Sequence, residues 1–291
     1  MEVPAQPWPV GQAEQVEPLV RRVLAPNPGP FTFTGTETYL VGAAGALAVI
    51  DPGPDDPAHV AALLGLIGDR PVAAICCTHT HRDHSPAAAP LAAATRAPVI
   101  GCAPLVLETI GPRGDAPFDQ TYAPDRILAD GESISGPDWT LTGVATPGHT
   151  SNHLCYALEE SGALFTGDHV MGWSTSVVIP PDGDMAAYMA SLDKLYARAD
   201  RVYYPAHGPQ VDKPQQLVRG MIGHRRQRER QILKLLGGGE ARIVDMVPQM
   251  YKGVDERLHG AAGMSVLAHL VELEQRGTVE RREDLWILIQ A

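Results

Sequence analysis

The run Thr78-His79-Thr80-His81-Arg82-Asp83-His84 sets three imidazoles and a carboxylate within six residues, and it constrains this chain more than any other feature. Both side-chain types are metal ligands near neutral pH, and the HxHxDH spacing crowds four of them onto one tight loop. Four donors this close cannot all serve one tetrahedral ion with good geometry, so two neighbouring ions are the natural reading. Just before the loop, Pro71 to Cys77 forms a continuous apolar run that reads as a buried strand. Ligands at the C-terminal end of a buried strand are what α/β folds provide.

Three more ligand-type residues sit in equivalent places. His149, in Thr146-Pro147-Gly148-His149-Thr150, follows a strand expected over Trp139 to Val144. Asp168 ends Phe165-Thr166-Gly167-Asp168, and His207 follows the strand Arg201 to Tyr204 in Pro205-Ala206-His207-Gly208. A lone His or Asp at a strand end is usually structural, but all three behind an HxHxDH loop form a specific pattern. His153 reads as a strand residue with a structural hydrogen bond, and His169 as pointing away from its neighbour Asp168. His59, His259 and His269 have surface or core readings only. Two readings stand for Asp51: a partner that fixes a ligand histidine, or a turn cap before Pro52-Gly53. Trp173 either lines the substrate entrance or packs as a partly buried ring.

The remaining chain alternates short strands with helices. Residues 1–30 are punctuated by proline, with one helical stretch expected around Glu14 to Leu24. A hairpin is expected over Thr36–Val41 and Ala46–Ile50, then helices over Ala58–Ile67 and Pro86–Thr95, with a short strand starting at Val99-Ile100. Short strands follow at Ile127-Leu128, Trp139–Val144, His153–Leu158 and Ala163–Thr166, then a helix over Met185–Ala197. Two β-rich halves, each followed by helices, imply an α/β sandwich. Pro214 to Leu236 reads as one long helix, and Gly237-Gly238-Gly239 as a linker, dividing the chain into 1–236 and 237–291. Helices over Ala241–Tyr251, around Asp255–His259 and over Gly263–Arg276, then a hairpin of Thr278–Glu280 and Leu285–Ile289, make a winged-helix pattern.

Composition narrows the partners. A formal net charge of -11 argues against a broadly basic surface that binds nucleic acid without discrimination. Four irregularly spaced cysteines suit a reducing compartment rather than a disulfide framework, and Cys76 and Cys77 fall inside the buried strand. Met1 to Val10 has neither a basic nor an apolar region of a signal peptide, and no apolar run is long enough to span a bilayer, so a cytoplasmic location is expected. Residues 219–230 carry Arg219, Arg225, Arg226, Arg228 and Arg230 against Glu229 alone. They read first as a solvated helix face and second as a phosphate-contacting edge. Glu272 and Glu274 on the expected third tail helix would repel duplex phosphates, so the tail is expected to pack on the catalytic domain or to dimerise.

Thr36–Val41, Ile50-Asp51-Pro52-Gly53, THTHRDHS, TPGHT, FTGDH and YPAHGP together resemble the metallo-β-lactamase fold superfamily. With the order NPGP, GT.TYLVG, IDPG, HRDHS, the helix HRRQRERQIL and the tail, the chain looks like the lactamase-like protein two subfamily, and the resemblance covers nearly its whole length. It implies an αββα sandwich with a small C-terminal winged-helix-like domain. It implies one metal site of His79, His81 and His149, a second of Asp83, His84 and His207, and Asp168 bridging them. Antibiotic lactamases of the family lack an aspartate there, whereas glyoxalase II and ribonuclease Z types have it, which points away from β-lactams. Glu37 departs from the resembled motif, which usually has an amide at that place.

The expected chemistry is that of a binuclear hydrolase with two zinc ions, or iron or manganese in their place. A metal-bridging hydroxide, with Asp83 orienting it, attacks an ester, thioester or phosphodiester. The substrate is expected to be a small molecule or a short anion. Single-stranded RNA stands among the alternatives, as do side activity on β-lactams, a mononuclear iron redox enzyme and a nucleic-acid-binding regulator with a vestigial metal domain. A glyoxalase II role is disfavoured by the winged-helix tail.

Overall fold

A computed structural model describes residues 9–107, 117–253 and 255–289, apart from the side chain of residue 257. Most of the segment read for a signal peptide therefore lies outside the described residues. The first sheet runs β1 (Ala13–Glu17), β2 (Val20–Leu24), β3 (Glu37–Val41), β4 (Leu47–Ile50) and β5 (Val72–Cys76) in that spatial order. Neighbours are antiparallel except β4 and β5, which are parallel and joined by helix α1 (Pro57–Ile67). Asp56 caps α1 by accepting from the amides of Ala58 and His59. Helix α2 (Ala88–Thr95) and the short parallel pair β6 (Ile100–Gly101) and β7 (Arg126–Ile127) follow.

The helix expected around Glu14 to Leu24 is instead the β1–β2 hairpin. Val16, Leu19, Val20 and Val23 have helical spacing, but Pro18 falls mid-segment and enters the turn. Pairing of β2 with β3 then supplies hydrogen bonds from a distant segment that no local window reveals.

The second sheet has the order β12-β11-β10-β9-β8, from β8 (Ser133–Ser135), β9 (Thr140–Ala145), β10 (Leu154–Leu158), β11 (Ala163–Gly167) and β12 (Val202–Pro205). β11 and β12 are parallel and bridged by α3 (Met185–Tyr196). Period-two alternation splits this sheet between two cores. Tyr156, Phe165 and Tyr204 face the first sheet, where the Tyr39 and Phe165 rings lie 5.0 Å apart. Cys155, Leu164 and Tyr203 face α3 and α4 (Pro214–Leu236). The four cysteines are free and buried. This is the αββα sandwich.

Past α4 come α5 (Ile243–Met250), a 3-10 turn (Glu256–Leu258), α6 (His259–Gln275) and the hairpin β13 (Val279–Arg282) with β14 (Leu285–Leu288). They share a core in which Trp286 and Leu270 pack on Ile232 and Leu236 of α4. Ala268 of α6 is buried with α3 and α4 residues, so the tail packs on the sandwich as expected. Among the described residues no helix is long and apolar enough to cross a membrane.

Candidate metal centre

One rim of the sandwich collects the C-terminal ends of β4, β5, β9, β11 and β12, because β4/β5 and β11/β12 are parallel pairs. Each strand end delivers a polar residue there: Asp51 after β4, His79 to His84 after β5, His149 after β9, Asp168 after β11 and His207 after β12. Gly167 turns the chain at φ 49°, and a Cβ there would stand 2.6 Å from Thr78 Oγ1 and 2.7 Å from His153 Nε2. Only glycine lets Asp168 come this close.

The seven expected ligands fall into two groups whose donor atoms are mutually within 4.8 Å. His79, His81, His149 and Asp168 form one; Asp83, His84 and His207 form the other. In the first, His81 Nδ1 lies 2.9 Å from His79 Nε2 and 3.1 Å from His149 Nε2. In the second, His207 Nε2 is 3.1 Å from Asp83 Oδ2, and His84 Nε2 is 3.3 Å from it. Asp168 stands between them: Oδ1 is 3.3 Å from His207 Nε2 and 3.6 Å from His84 Nε2, while Oδ2 is 3.6 Å from His149 Nε2.

Hydrogen bonds on the outer side of the rings fix their tautomers. His149 Nδ1 donates to the Val177 carbonyl at 2.6 Å, His207 Nδ1 to the Gly35 carbonyl at 3.2 Å and His84 Nδ1 to Asp51 at 3.0 Å. Thr78 Oγ1 gives its proton to Asp51, so it accepts from His79 Nδ1 at 3.0 Å. In its neutral form each of the four rings therefore presents an unprotonated Nε2 inward. His84 Nε2, His207 Nε2 and Asp168 Oδ1 are buried and make no hydrogen bond. Lone pairs aimed at one another are costly unless positive charge, a metal ion or protons on the rings, fills the gap, and this imidazole and carboxylate set suits a metal ion.

The two halves differ electrostatically. Burial, reinforced by the neighbouring imidazoles, holds His79 well below the usual histidine range and His81 down at about 3, so both keep their lone pairs. Burial also opposes charge on His84, yet Asp83, Asp168 and Asp51 outweigh it and push its pKa well above normal. His207 is likewise raised against its burial by Asp168 and Asp83. Burial alone would raise both acids, but His84 and His207 hold Asp83 well down, and His207 and His84 do the same for Asp168. The second group thus attracts positive charge.

Asp51 accepts from the Thr78 amide at 2.7 Å as well as from His84, so it anchors a candidate ligand histidine rather than merely capping a turn. His153 Nε2 accepts from the Asp168 amide at 3.2 Å while Nδ1 donates to Thr146 Oγ1 at 2.9 Å, which leaves no lone pair for a metal. His169 is buried against Tyr188, outside both groups. Trp173 stacks on Phe33 at 4.6 Å and rests on Gly208, next to His207, while lining a cleft beside the centre. Glu37 is buried, with its carboxylate 3.2 Å from Arg22 and accepting from Tyr39 at 2.8 Å.

Two features escaped the sequence reading. The segment Ser176–Val177 shapes the centre: Val177 orients His149, and Ser176 Oγ donates to the carbonyls of Asp168 and His169 at 2.5 and 2.7 Å. Nothing in its composition marks it. The arginines of α4 are not a uniformly solvated face either: Arg219, Arg226 and Arg230 are exposed, but Arg225 is 3% exposed and donates to the Ser176 carbonyl. Packing of α6 and the 171–179 loop on that face, invisible from the helix alone, buries it.

Residues 31–207 match the model of the metallo-beta-lactamase superfamily, and residues 243–286 match that of the beta-lactamase associated winged helix domain. A beta-lactamase-like protein 2 homolog of Caenorhabditis elegans is 32% identical over 92% of this chain and 88% of its own length. An atrochrysone carboxyl ACP thioesterase of Cryptosporiopsis sp. (strain 8999) is 34% identical over 78% of this chain, which spans 66% of that relative's length. A solved metallo-beta-lactamase family protein from Thermus thermophilus shares the fold with a TM-score of 0.74 at 22% identity, covering 94% of this chain and 100% of that one. With the strand-end His/Asp cluster and the matched models in agreement, the chain belongs to the metallo-beta-lactamase superfamily and carries its associated winged helix domain.

Proposed function

We propose that the chain is a binuclear zinc hydrolase whose substrate is a thioester. The observation that carries the metal reading is the position of Asp168, with one oxygen turned to each donor group and one of them free of hydrogen bonds. His79, His81 and His149 would hold one ion, Asp83, His84 and His207 the other, and Asp168 both. The mixed imidazole and carboxylate set suits zinc. Ions held there supply Lewis acidity toward a carbonyl oxygen and toward water.

The residues do the positioning. His149 and His207 are locked by backbone carbonyls, and His84 by Asp51, so the donors are set before substrate arrives. Asp83, with its side chain 24% exposed, is the most accessible of the seven and stays ionised, which suits it to orient an incoming water by accepting a hydrogen bond from it. Water oxygen adds to the acyl carbon, the C–S bond breaks, and the proton passes to the departing thiolate, leaving a carboxylic acid and a thiol. No serine or cysteine nucleophile is required: burial pushes the Cys155 and Cys102 thiols up to about 12. Thioesters lead among acyl substrates because a relative is described as an ACP thioesterase.

A panel of thioesters, lactones, β-lactams, phosphodiesters and single-stranded RNA, offered to the metal-loaded chain and to Asp83→Ala, tests this. Thioester hydrolysis is expected to dominate and to fall about 10²–10⁴-fold in the variant. Undiminished activity in Asp83→Ala on every substrate overturns the mechanism, and turnover of RNA alone overturns the substrate.

A further inference from the structure

Between the 171–179 loop and the C-terminal helices lies a cleft of about 400 Å3. That is the size of a small-ligand site. Its walls are largely apolar, with Trp173, Ile179 and Leu258 among them, and Phe31 stands 61% exposed at its edge. Two arginines of α4 also line it.

Those arginines are unusual in what they lack. Arg225 is 3% exposed; it donates to the Ser176 carbonyl and to Ser265 Oγ at 3.3 Å, and it lies over the Tyr188 ring at 5.2 Å. Arg228 donates to the Met250 carbonyl at 2.8 Å and to Gln231 at 3.0 Å, with its guanidinium 4.2 Å from the Tyr251 ring centre. Neither has a carboxylate partner among the described residues, and Nε of each is buried without a hydrogen bond. Two guanidinium groups one helical turn apart, both on the cleft wall, one of them buried and neither paired to a carboxylate, present donors that an anion in the cleft would meet.

The cleft is also coupled to the metal centre. The same loop that walls it gives Val177 O to His149, and Trp173, on its lining, rests against Gly208 beside His207. A molecule lying along Trp173 therefore reaches from the arginines toward the reacting atoms.

We infer that this cleft is a substrate subsite for an amphipathic anion: a chain whose apolar stretch lies against Trp173, Ile179 and Leu258 and whose carboxylate or phosphate meets Arg225 and Arg228. The inference rests on the thioester reading and adds which thioesters: those with an anionic group at the far end of the acyl chain or of the thiol arm.

Three substrates with the same reacting atoms separate these sources. Octanoyl-N-acetylcysteamine has no anion, octanoyl-coenzyme A has phosphates on the thiol arm, and the N-acetylcysteamine monothioester of octanedioic acid has a carboxylate on the acyl end. At least one anionic substrate is expected to exceed the neutral one about tenfold in kcat/KM, chiefly through KM. Arg228→Met is expected to bring that ratio within about twofold of unity. Arg226→Met, which removes an equal charge from an exposed position on the same helix, is expected to leave the ratio in place. Equal rates on all three substrates, or a preference that survives Arg228→Met, would overturn the subsite. Should none be hydrolysed, the thioester reading fails, and calorimetric titration with octyl phosphate decides the cleft: a roughly tenfold weaker affinity in Arg228→Met than in Arg226→Met upholds it, and equal affinities overturn it.

Discussion

Asp51 and His84 are joined by a 3.0 Å hydrogen bond from Nδ1 of the ring to Oδ2 of the carboxylate, whose other oxygen holds the Thr78 amide at 2.7 Å. One side chain thus sets both the tautomer of a candidate ligand and the path of the loop that carries it. Asp51 adopts φ 48°, a left-handed conformation that aspartate tolerates and that these bonds hold in place. Asp51→Ala is expected to weaken metal binding about 10–100-fold, read by competition with a chromogenic chelator. Asp51→Asn is expected to be nearly as harmful despite its shape. Its carboxamide oxygen can hold Thr78, but the amide nitrogen then faces Nδ1 and favours the tautomer with its proton on Nε2. Wild-type affinity in the asparagine variant would show that charge and tautomer control are unimportant there.

Gly167 offers a second test, remote from any titratable atom of its own. A methyl group at this position meets Thr78 Oγ1 and His153 Nε2 at distances that real side chains do not sustain. Gly167→Ala is expected to cost about 1–3 kcal/mol of stability and to shift Asp168 away from the donor groups. Chemical denaturation measures the first effect and metal stoichiometry the second. An alanine variant with unchanged stability and metal content would show that the turn relaxes freely.

Glu37 makes the stability depend on pH. Burial, only partly offset by Arg22, raises its pKa from an ordinary 4.5 to about 7. A raised folded-state pKa means the proton binds the folded chain more tightly. The stabilisation is therefore complete below pH 4.5 and is lost as pH rises through about 7. Between about pH 4.5 and pH 8, Glu37→Gln is expected to gain about 3 kcal/mol on the parent chain, since each tenfold difference in proton affinity between the folded and unfolded chain is worth about 1.4 kcal/mol. Parallel denaturant unfolding at the two pH values checks this; a constant gap between the two proteins contradicts it.

The centre was legible from the sequence because its residues lie at strand ends, where a buried apolar run stops at a polar cluster: Cys76 before Thr78, Gly167 before Asp168 and Pro205 before His207. Spacing within HxHxDH alone indicated two groups, since adjacent ligands on one turn cannot converge on one point. The β1–β2 hairpin was not legible, because its pattern of valines also fits a helix and the choice is made by pairing with β3. The burial of Arg225 was hidden for the same kind of reason. Its helix shows a charge run, but what covers that face comes from Ser176 and Ser265, about fifty and forty residues away in the chain. Long-range packing, not local pattern, decides such positions.

Joint control of two metal ions by Asp168 is the central claim, and a metal titration tests it most directly. The chain is stripped with a chelator, zinc is returned in steps, and bound metal and thioester hydrolysis are followed together. Hydrolysis is expected to be absent in the stripped chain and to rise as the second equivalent binds, while Asp168→Ala holds at most one tight ion and stays inactive. Full activity at one ion per chain, or hydrolysis that persists in the stripped protein, would contradict it.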